Sequence, residues 1–196
     1  QHLSESILSV SLSEKLTRMN NELEKAKAKL EQLSQTDELT GQLNRRGFLG
    51  MSKKLLQFSR RQNQSFWIIF LDLDGLKYIN DTFGHSEGDL AISSFGRAIN
   101  DVFRETDVCA RLGGDEFIVM VVNCQFKDLN VITKRLKNKV DRVNSYLTGE
   151  WKVNYSIGTA FSDPSDTSSL EEIMDTADKE LYKEKSKKKN SRRSHR

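Results

Sequence analysis

The chain has 196 residues, 36% hydrophobic and 30% charged, a length for one domain with an appendage and a balance that excludes intrinsic disorder. Its longest apolar run, Phe66 to Leu71, falls far short of the roughly 20 residues of a membrane-spanning helix, and no signal peptide is visible, so no membrane contact is expected. The net charge of +3 is uneven: Lys183 to Arg196 holds eight Lys/Arg against one Glu, which leaves the rest of the chain at −4. No aromatic platform accompanies this basic tail, so nucleic acid is not an expected partner. Its first part is instead placed to hold phosphates, or it is a solvated end. Cys109 and Cys124 lack metal-type spacing and read as buried free thiols of a reducing cytoplasm. A start at Gln1 rather than Met suits a piece of a longer protein.

Leu16, Met19, Leu23, Ala26, Leu30 and Leu33, with Leu12 before them, alternate at spacings of three and four from Leu16 onward, an a/d seam with Leu16, Leu23 and Leu30 at a. Glu22 at g and Lys27 at the next e suit a parallel dimer, so residues 1–35 read as a coiled-coil signalling linker. Gln35 to Gly41 breaks the seam and forms a joint. A helix is expected from Asn44 to Arg61, then a strand buried on both faces at Phe66 to Leu71. A helix over 86–103 carries Ala91, Phe95, Ala98 and Val102 on one stripe. Val108 to Leu112 and Phe117 to Val122 read as strands joined at Gly113-Gly114, a turn that needs positive φ. A helix marked by Leu129 to Leu147, a strand from Val153 to Phe161 ended at Asp163-Pro164, and a helix lined by Leu170 to Leu181 complete the chain. The inner βαββαβ order predicts an α+β ferredoxin-like core, a mainly antiparallel sheet flanked by helices and preceded by the coiled-coil helix.

Two acidic strand ends carry the chemistry. Asp72 and Asp74 close the first buried strand, and Asp115-Glu116 follow the Gly-Gly turn. A split-βαβ sheet lays the first strand beside the hairpin, so four carboxylates are expected to converge. Such a cluster repels itself unless a cation neutralises it, and hard oxygen ligands suit Mg²⁺ with substrate phosphates. From this logic a metal-dependent phosphoryl or nucleotidyl transferase is a leading reading. Lys185 and Lys189, four apart, share one helix face.

Gly113-Gly114-Asp115-Glu116-Phe117 reads literally as GGDEF, and four further stretches occur in order. They are Asp37-Glu38-Leu39-Thr40-Gly41 with Asn44-Arg45-Arg46; Asp72-Leu73-Asp74 through Lys77, Asn80 and Phe83-Gly84-His85; Tyr155-Ser156-Ile157-Gly158; and Ala177-Asp178 with Leu181-Tyr182. Together they resemble the GGDEF diguanylate cyclase family over residues 36–190, leaving 191–196 as a basic tail. The resemblance implies condensation of two GTP into cyclic di-GMP and two pyrophosphates by a homodimer, joined through the coiled coil and across the active site. It implies Asp72, the Leu73 carbonyl, Asp115 and Glu116 as ligands of Mg²⁺ or Mn²⁺, two ions per half-site. Asp115, Glu116 and Lys77 are the expected catalytic residues, with Asp115 accepting the 3′-hydroxyl proton. Asn80 and Asp89 would read guanine: a carboxylate accepts from its two N–H donors, which adenine lacks. Gly113, Gly114, Lys77, Lys185 and Lys189 would hold the substrate. At Lys188-Lys189-Asn190 the family's Gly-Arg-Asn is replaced, which keeps charge but loses a bidentate fork. Arg104-Glu105-Thr106-Asp107 has the RxxD form at the family's spacing before Gly113, which implies an inhibitory site for cyclic di-GMP at Arg104 and Asp107. The alternative is an inactive member that only binds cyclic di-GMP or GTP; a purely structural dimerisation module would leave the acidic residues unexplained.

Overall fold

A computed structural model describes residues 15–25 and 34–193, with side chains through 190. The chain divides into two units, Gln1–Ser34 and Gln35–Arg196. In the first, residues 15–25 are helical, Leu16, Met19 and Leu23 are exposed, and Glu22 pairs with Arg18 of the same helix at 3.5 Å. The remaining seam positions, Leu12, Ala26, Leu30 and Leu33, lie outside the described residues, as does Lys27.

The second unit runs α1 (Arg45–Arg61), β1 (Phe66–Leu73), α2 (Leu76–Phe83), α3 (His85–Val102), β2 (Val108–Gly113), β3 (Glu116–Val122), α4 (Leu129–Tyr146), β4 (Tyr155–Ser162) and α5 (Leu170–Arg193). The four strands form one sheet in the order β2-β3-β1-β4, and every neighbouring pair is antiparallel. This is the ferredoxin-like arrangement expected. Among the described residues no helix is long and apolar enough to cross a membrane.

β1 sits centrally and all eight of its residues are buried, which is why its apolar letters run without alternation. Its odd residues Trp67, Ile69, Leu71 and Leu73 pack with α2, α3 and α4 around Phe95. Its even residues Phe66, Ile68 and Phe70 pack with α1 and α5 around Phe48 and Ala177. The alternation carries through the strand end, so Asp72 falls on the α1/α5 face as the buried polar continuation of an apolar row. β4 alternates buried and half-buried, as an edge strand does.

Two differences from the expected elements matter for the site. Leu76–Phe83 is a separate short helix, α2, which starts at Gly75 (φ +80°) with no side-chain cap. Eight residues offer barely two helical turns, too few for a periodic pattern to stand out. The hairpin closes one residue later than expected: Gly113 pairs with Glu116, so the two-residue loop is Gly114-Asp115. Gly113 (φ +144°) and Gly114 (φ +52°) supply the positive φ. Asp115 thus sits in the turn itself rather than after it.

Candidate active site

The site lies where β1 ends beside the hairpin. Across the sheet Asp72 faces Glu116 on one side and Ser156 on the other. The Leu73 amide donates to the Asp115 carbonyl (3.0 Å), which ties the end of β1 to the hairpin turn. A cavity of about 230 Å³ opens there, lined by Asp72, Leu73, Asp74, Gly75, Asp115 and three lysines, 185, 188 and 189. Asp72 is 4% exposed. Burial raises its carboxyl above the ordinary value and the Asp115 and Asp74 charges add to this, while a hydrogen bond from Lys185 opposes them. The Lys185 Nζ stands 2.5 Å from Asp72 Oδ2.

Of the four carboxylates expected to converge, Asp72, Asp74 and Asp115 line this cavity and Glu116 does not. Among the described residues no group of three or more His, Cys, Asp or Glu side chains could hold a metal ion. Asp74 is turned to other partners: Ser156 Oγ donates to its Oδ1 (2.7 Å) and Lys188 Nζ to its Oδ2 (3.0 Å). Glu116 lies exposed opposite Asp72. What remains is Asp72, Asp115 and the Leu73 backbone. That set fits a hard divalent cation that takes its other oxygens from phosphates and water, as Mg²⁺ does, and does not form a closed all-protein cage.

Helix α5 brings the lysines. A Cβ at Gly158 would sit 2.2 Å from the Ala177 carbonyl oxygen and from the Leu181 amide nitrogen, so only glycine lets α5 lie this close to β4. Lys185, one turn beyond Leu181, then reaches Asp72. Lys188 was not singled out as a site residue by its sequence, yet it makes more contacts than Lys189: besides Asp74 it donates to the Tyr155 carbonyl (2.6 Å) and Ser156 Oγ (2.9 Å), and pairs with Glu184 (3.1 Å).

The hairpin is held from below. Arg111 donates from Nε and Nη2 to the Gly114 carbonyl (3.0 and 2.8 Å) and from Nη1 to both Asp37 oxygens (3.2 and 3.0 Å). Asp37 also accepts from the Thr40 amide and hydroxyl (2.9 and 2.7 Å). Burial works to raise the Asp37 pKa, but the bonds from Thr40 and Arg111 outweigh it and hold the carboxyl below its ordinary value. The joint at Asp37-Glu38-Leu39-Thr40-Gly41 is therefore wired to the turn that carries Asp115. Phe117, the last letter of the motif, is a core residue with its ring 5.2 Å from Phe95.

Asn80 and Asp89 lie on α2 and α3. A Cβ at Gly88 would fall 1.9 Å from Asn80 Oδ1, so Asn80 packs against the α3 backbone one residue from Asp89, which is exposed. Lys77 is exposed in the first turn of α2.

Arg104 and Asp107 lie in a turn after α3; the Arg104 amide donates to Asp107 Oδ2 and the Asp107 amide to the Arg104 carbonyl, both at 2.9 Å. Burial raises the Asp107 carboxyl, opposed by backbone hydrogen bonds and by Arg104 and Arg135. Arg135, on α4, lines a cavity of about 180 Å³ with both residues and donates to the Val102 carbonyl (2.9 Å). It is 31 residues from Arg104 in the chain, so no local pattern linked them.

Asp72 and Asp115 thus share a cavity with three lysines of α5 at one end of an antiparallel sheet flanked by helices. The family model described as "Diguanylate cyclase, GGDEF domain" matches residues 34–191, and the chain belongs to the GGDEF family. It is 35% identical over 167 residues to the diguanylate cyclase DgcP of Escherichia coli, covering 84% of this chain and 48% of that protein. The chain thus spans about half the length of that curated relative. Among solved structures it is similar to diguanylate cyclase SiaD in complex with its activator SiaC from Pseudomonas aeruginosa (TM-score 0.72, 28% identity, 94% of this chain and 73% of that one). It is also similar to the GGDEF domain of DgcB from Caulobacter crescentus in complex with c-di-GMP (TM-score 0.69, 27% identity, 78% and 90%).

Proposed function

We propose that this chain condenses two GTP molecules into cyclic di-GMP and two pyrophosphates. The observation that carries the reading is the buried Asp72 beneath Lys185, with the adjoining Leu73 amide bonded to the Asp115 carbonyl of the hairpin turn. Each 3′-hydroxyl oxygen attacks the α-phosphorus of the opposite GTP, a P–O bond to pyrophosphate breaks, and the hydroxyl proton passes to Asp115. Asp72, Asp115 and the Leu73 carbonyl would hold Mg²⁺ or Mn²⁺, two per half-site, with Glu116 at the margin. When bound, the ions supply charge neutralisation at the phosphates and acidify the hydroxyl. Lys77, Lys185 and Lys189 bind phosphate oxygens, joined by the first-turn N–H groups of α2, which no side chain caps. Gly113 and Gly114 let the hairpin backbone approach the substrate. Asn80 and Asp89 select guanine.

One half-site cannot close the ring, so the active species is a dimer of near-twofold symmetry. Residues 1–35 act as the linker that raises the local concentration of the second half-site, residues 36–190 as the cyclase domain in the cytoplasm, and 191–196 as a basic tail. Cyclic di-GMP binds at Arg104 and Asp107 as a feedback inhibitor, with Arg135 as a third member supported by its place in the same cavity wall.

The test is to incubate the chain with GTP and Mg²⁺ and identify the products by mass. Cyclic di-GMP with two pyrophosphates supports an enzyme. Binding of GTP or cyclic di-GMP without turnover would favour the receptor reading instead.

A further inference from the structure

We propose that Lys188 is a positioning residue of the phosphate site: it locks the end of α5 to the end of β1 and the start of β4, and so sets Lys185 and Lys189 over the cavity. The inference deepens the cyclase reading and rests on it.

The geometry is specific. An ammonium has three N–H donors, and three oxygens from outside α5 surround Lys188 Nζ, Asp74 Oδ2 at 3.0 Å, the Tyr155 carbonyl at 2.6 Å and Ser156 Oγ at 2.9 Å, with Glu184 of the same helix at 3.1 Å. Ser156 in turn donates to the other Asp74 oxygen (2.7 Å), and the Asp74 amide donates to the Asn154 carbonyl (2.8 Å). Asp74, Ser156 and Lys188 thus form a closed network that joins three elements. Both Asp74 oxygens are thereby engaged by groups of the protein, although Asp74 lines the same cavity as Asp72.

The consequence for Lys185 follows from helix spacing. Lys185 lies three residues before Lys188, on a neighbouring position of the same face, and reaches Asp72 at 2.5 Å. Lys189 follows Lys188 and lines the same cavity. Near its end a helix frays unless something outside it holds the last turns. Lys188 ties this segment to the sheet between the two phosphate lysines, at oxygens of Asp74, Tyr155 and Ser156. A direct phosphate contact is the rival role, but its donors are already spent on oxygens of the protein.

The experiment uses the whole chain in four forms: parent, Lys188→Met, Asp74→Asn and the double variant. Magnesium pyrophosphate binding is followed by calorimetry and backbone exchange over 183–190 by mass spectrometry. Lys188→Met should weaken pyrophosphate binding about tenfold and speed exchange in that segment. Asp74→Asn should weaken it less, and the double variant should match Lys188→Met alone, because one network is being broken twice. In turnover, KM for GTP should rise with kcat held. Lys188→Arg should restore the effect only in part, since a planar fork does not match three acceptors around one point. Unchanged exchange in Lys188→Met, or losses that simply add in the double variant, would overturn the proposal. If the parent makes no cyclic di-GMP, the cyclase reading fails, while the binding and exchange results still decide the role of Lys188.

Discussion

Replacing Asp37 by asparagine should cost the domain about 2 kcal/mol and most of its turnover, although Asp37 lies on a different loop from the hairpin that carries Asp115. The magnitude comes from the contacts. A hydrogen bond to a charged group contributes about 1.5–3 kcal/mol, and Asp37 receives two from the Arg111 guanidinium and two from Thr40. The side chains are 20% and 13% exposed, so solvent screens the pair somewhat and the lower half of that range applies. Asparagine keeps the Thr40 bonds through its oxygen but turns an amide toward the guanidinium. Arg111 would then hold Gly114 from an unanchored side chain, and the turn carrying Asp115 would loosen. A displacement near 1 Å of a reacting group lowers rate by on the order of 10²-fold. The melting point should fall by roughly 4–8 °C. The effect has a pH signature. The folded pKa of Asp37 lies below the unfolded one, so its stabilisation is complete above the unfolded carboxylate value, about 3.9, and is lost as pH falls through the lower folded value. The gap between parent and variant should therefore close on acidification below about pH 4. Thermal melts across pH, with cyclic di-GMP formation measured at neutral pH, check both parts. A melting point unchanged to within about 1 °C together with unchanged turnover would refute the clamp.

Asp89→Ser should relax the choice of GTP over ATP, which an intact polar site can enforce by roughly 10⁴-fold; equal parent rates with both nucleotides would remove Asp89 from recognition. Arg104→Ala and Arg135→Ala should each weaken cyclic di-GMP binding by about tenfold and let product reach higher levels with little change in initial rate. Calorimetric titration showing parent-like affinity in both would leave that cavity without a role. Lys at Leu16, Leu23 and Leu30 together should lower specific activity at dilute protein and restore it in part when concentrated, and a flat dilution series would rule the seam out as the dimerising element.

The sheet was legible because β1 is buried on both faces and the helices carry clear stripes; the Gly-Gly pair announced its turn. Five things were hidden, each for a physical reason. Helix α2 is too short to show a period. The hairpin register depends on a bulge between Arg111 and Gly113, which moved Asp115 into the loop and which no residue letter announces. Partner choice at the acidic end was decided by α5, more than a hundred residues away: Lys188 takes Asp74 and Lys185 takes Asp72, so the two carboxylates that look equivalent in the chain have different surroundings. Arg135 was invisible for the same reason, since only the packing of α4 brings it to Asp107. The joint at Asp37 was seen as a break between segments, but its bond to Arg111 needed the structure.

The most direct measurement compares the parent chain with Asp115→Asn under identical GTP and Mg²⁺, with products resolved by mass and folding followed by circular dichroism. The amide is nearly the same shape as the carboxylate but carries no charge for the cation and cannot take the hydroxyl proton. The account predicts cyclic di-GMP from the parent, none above background from the variant, and superimposable spectra. Turnover by Asp115→Asn close to that of the parent would contradict the site placed at the β1 end and the hairpin turn.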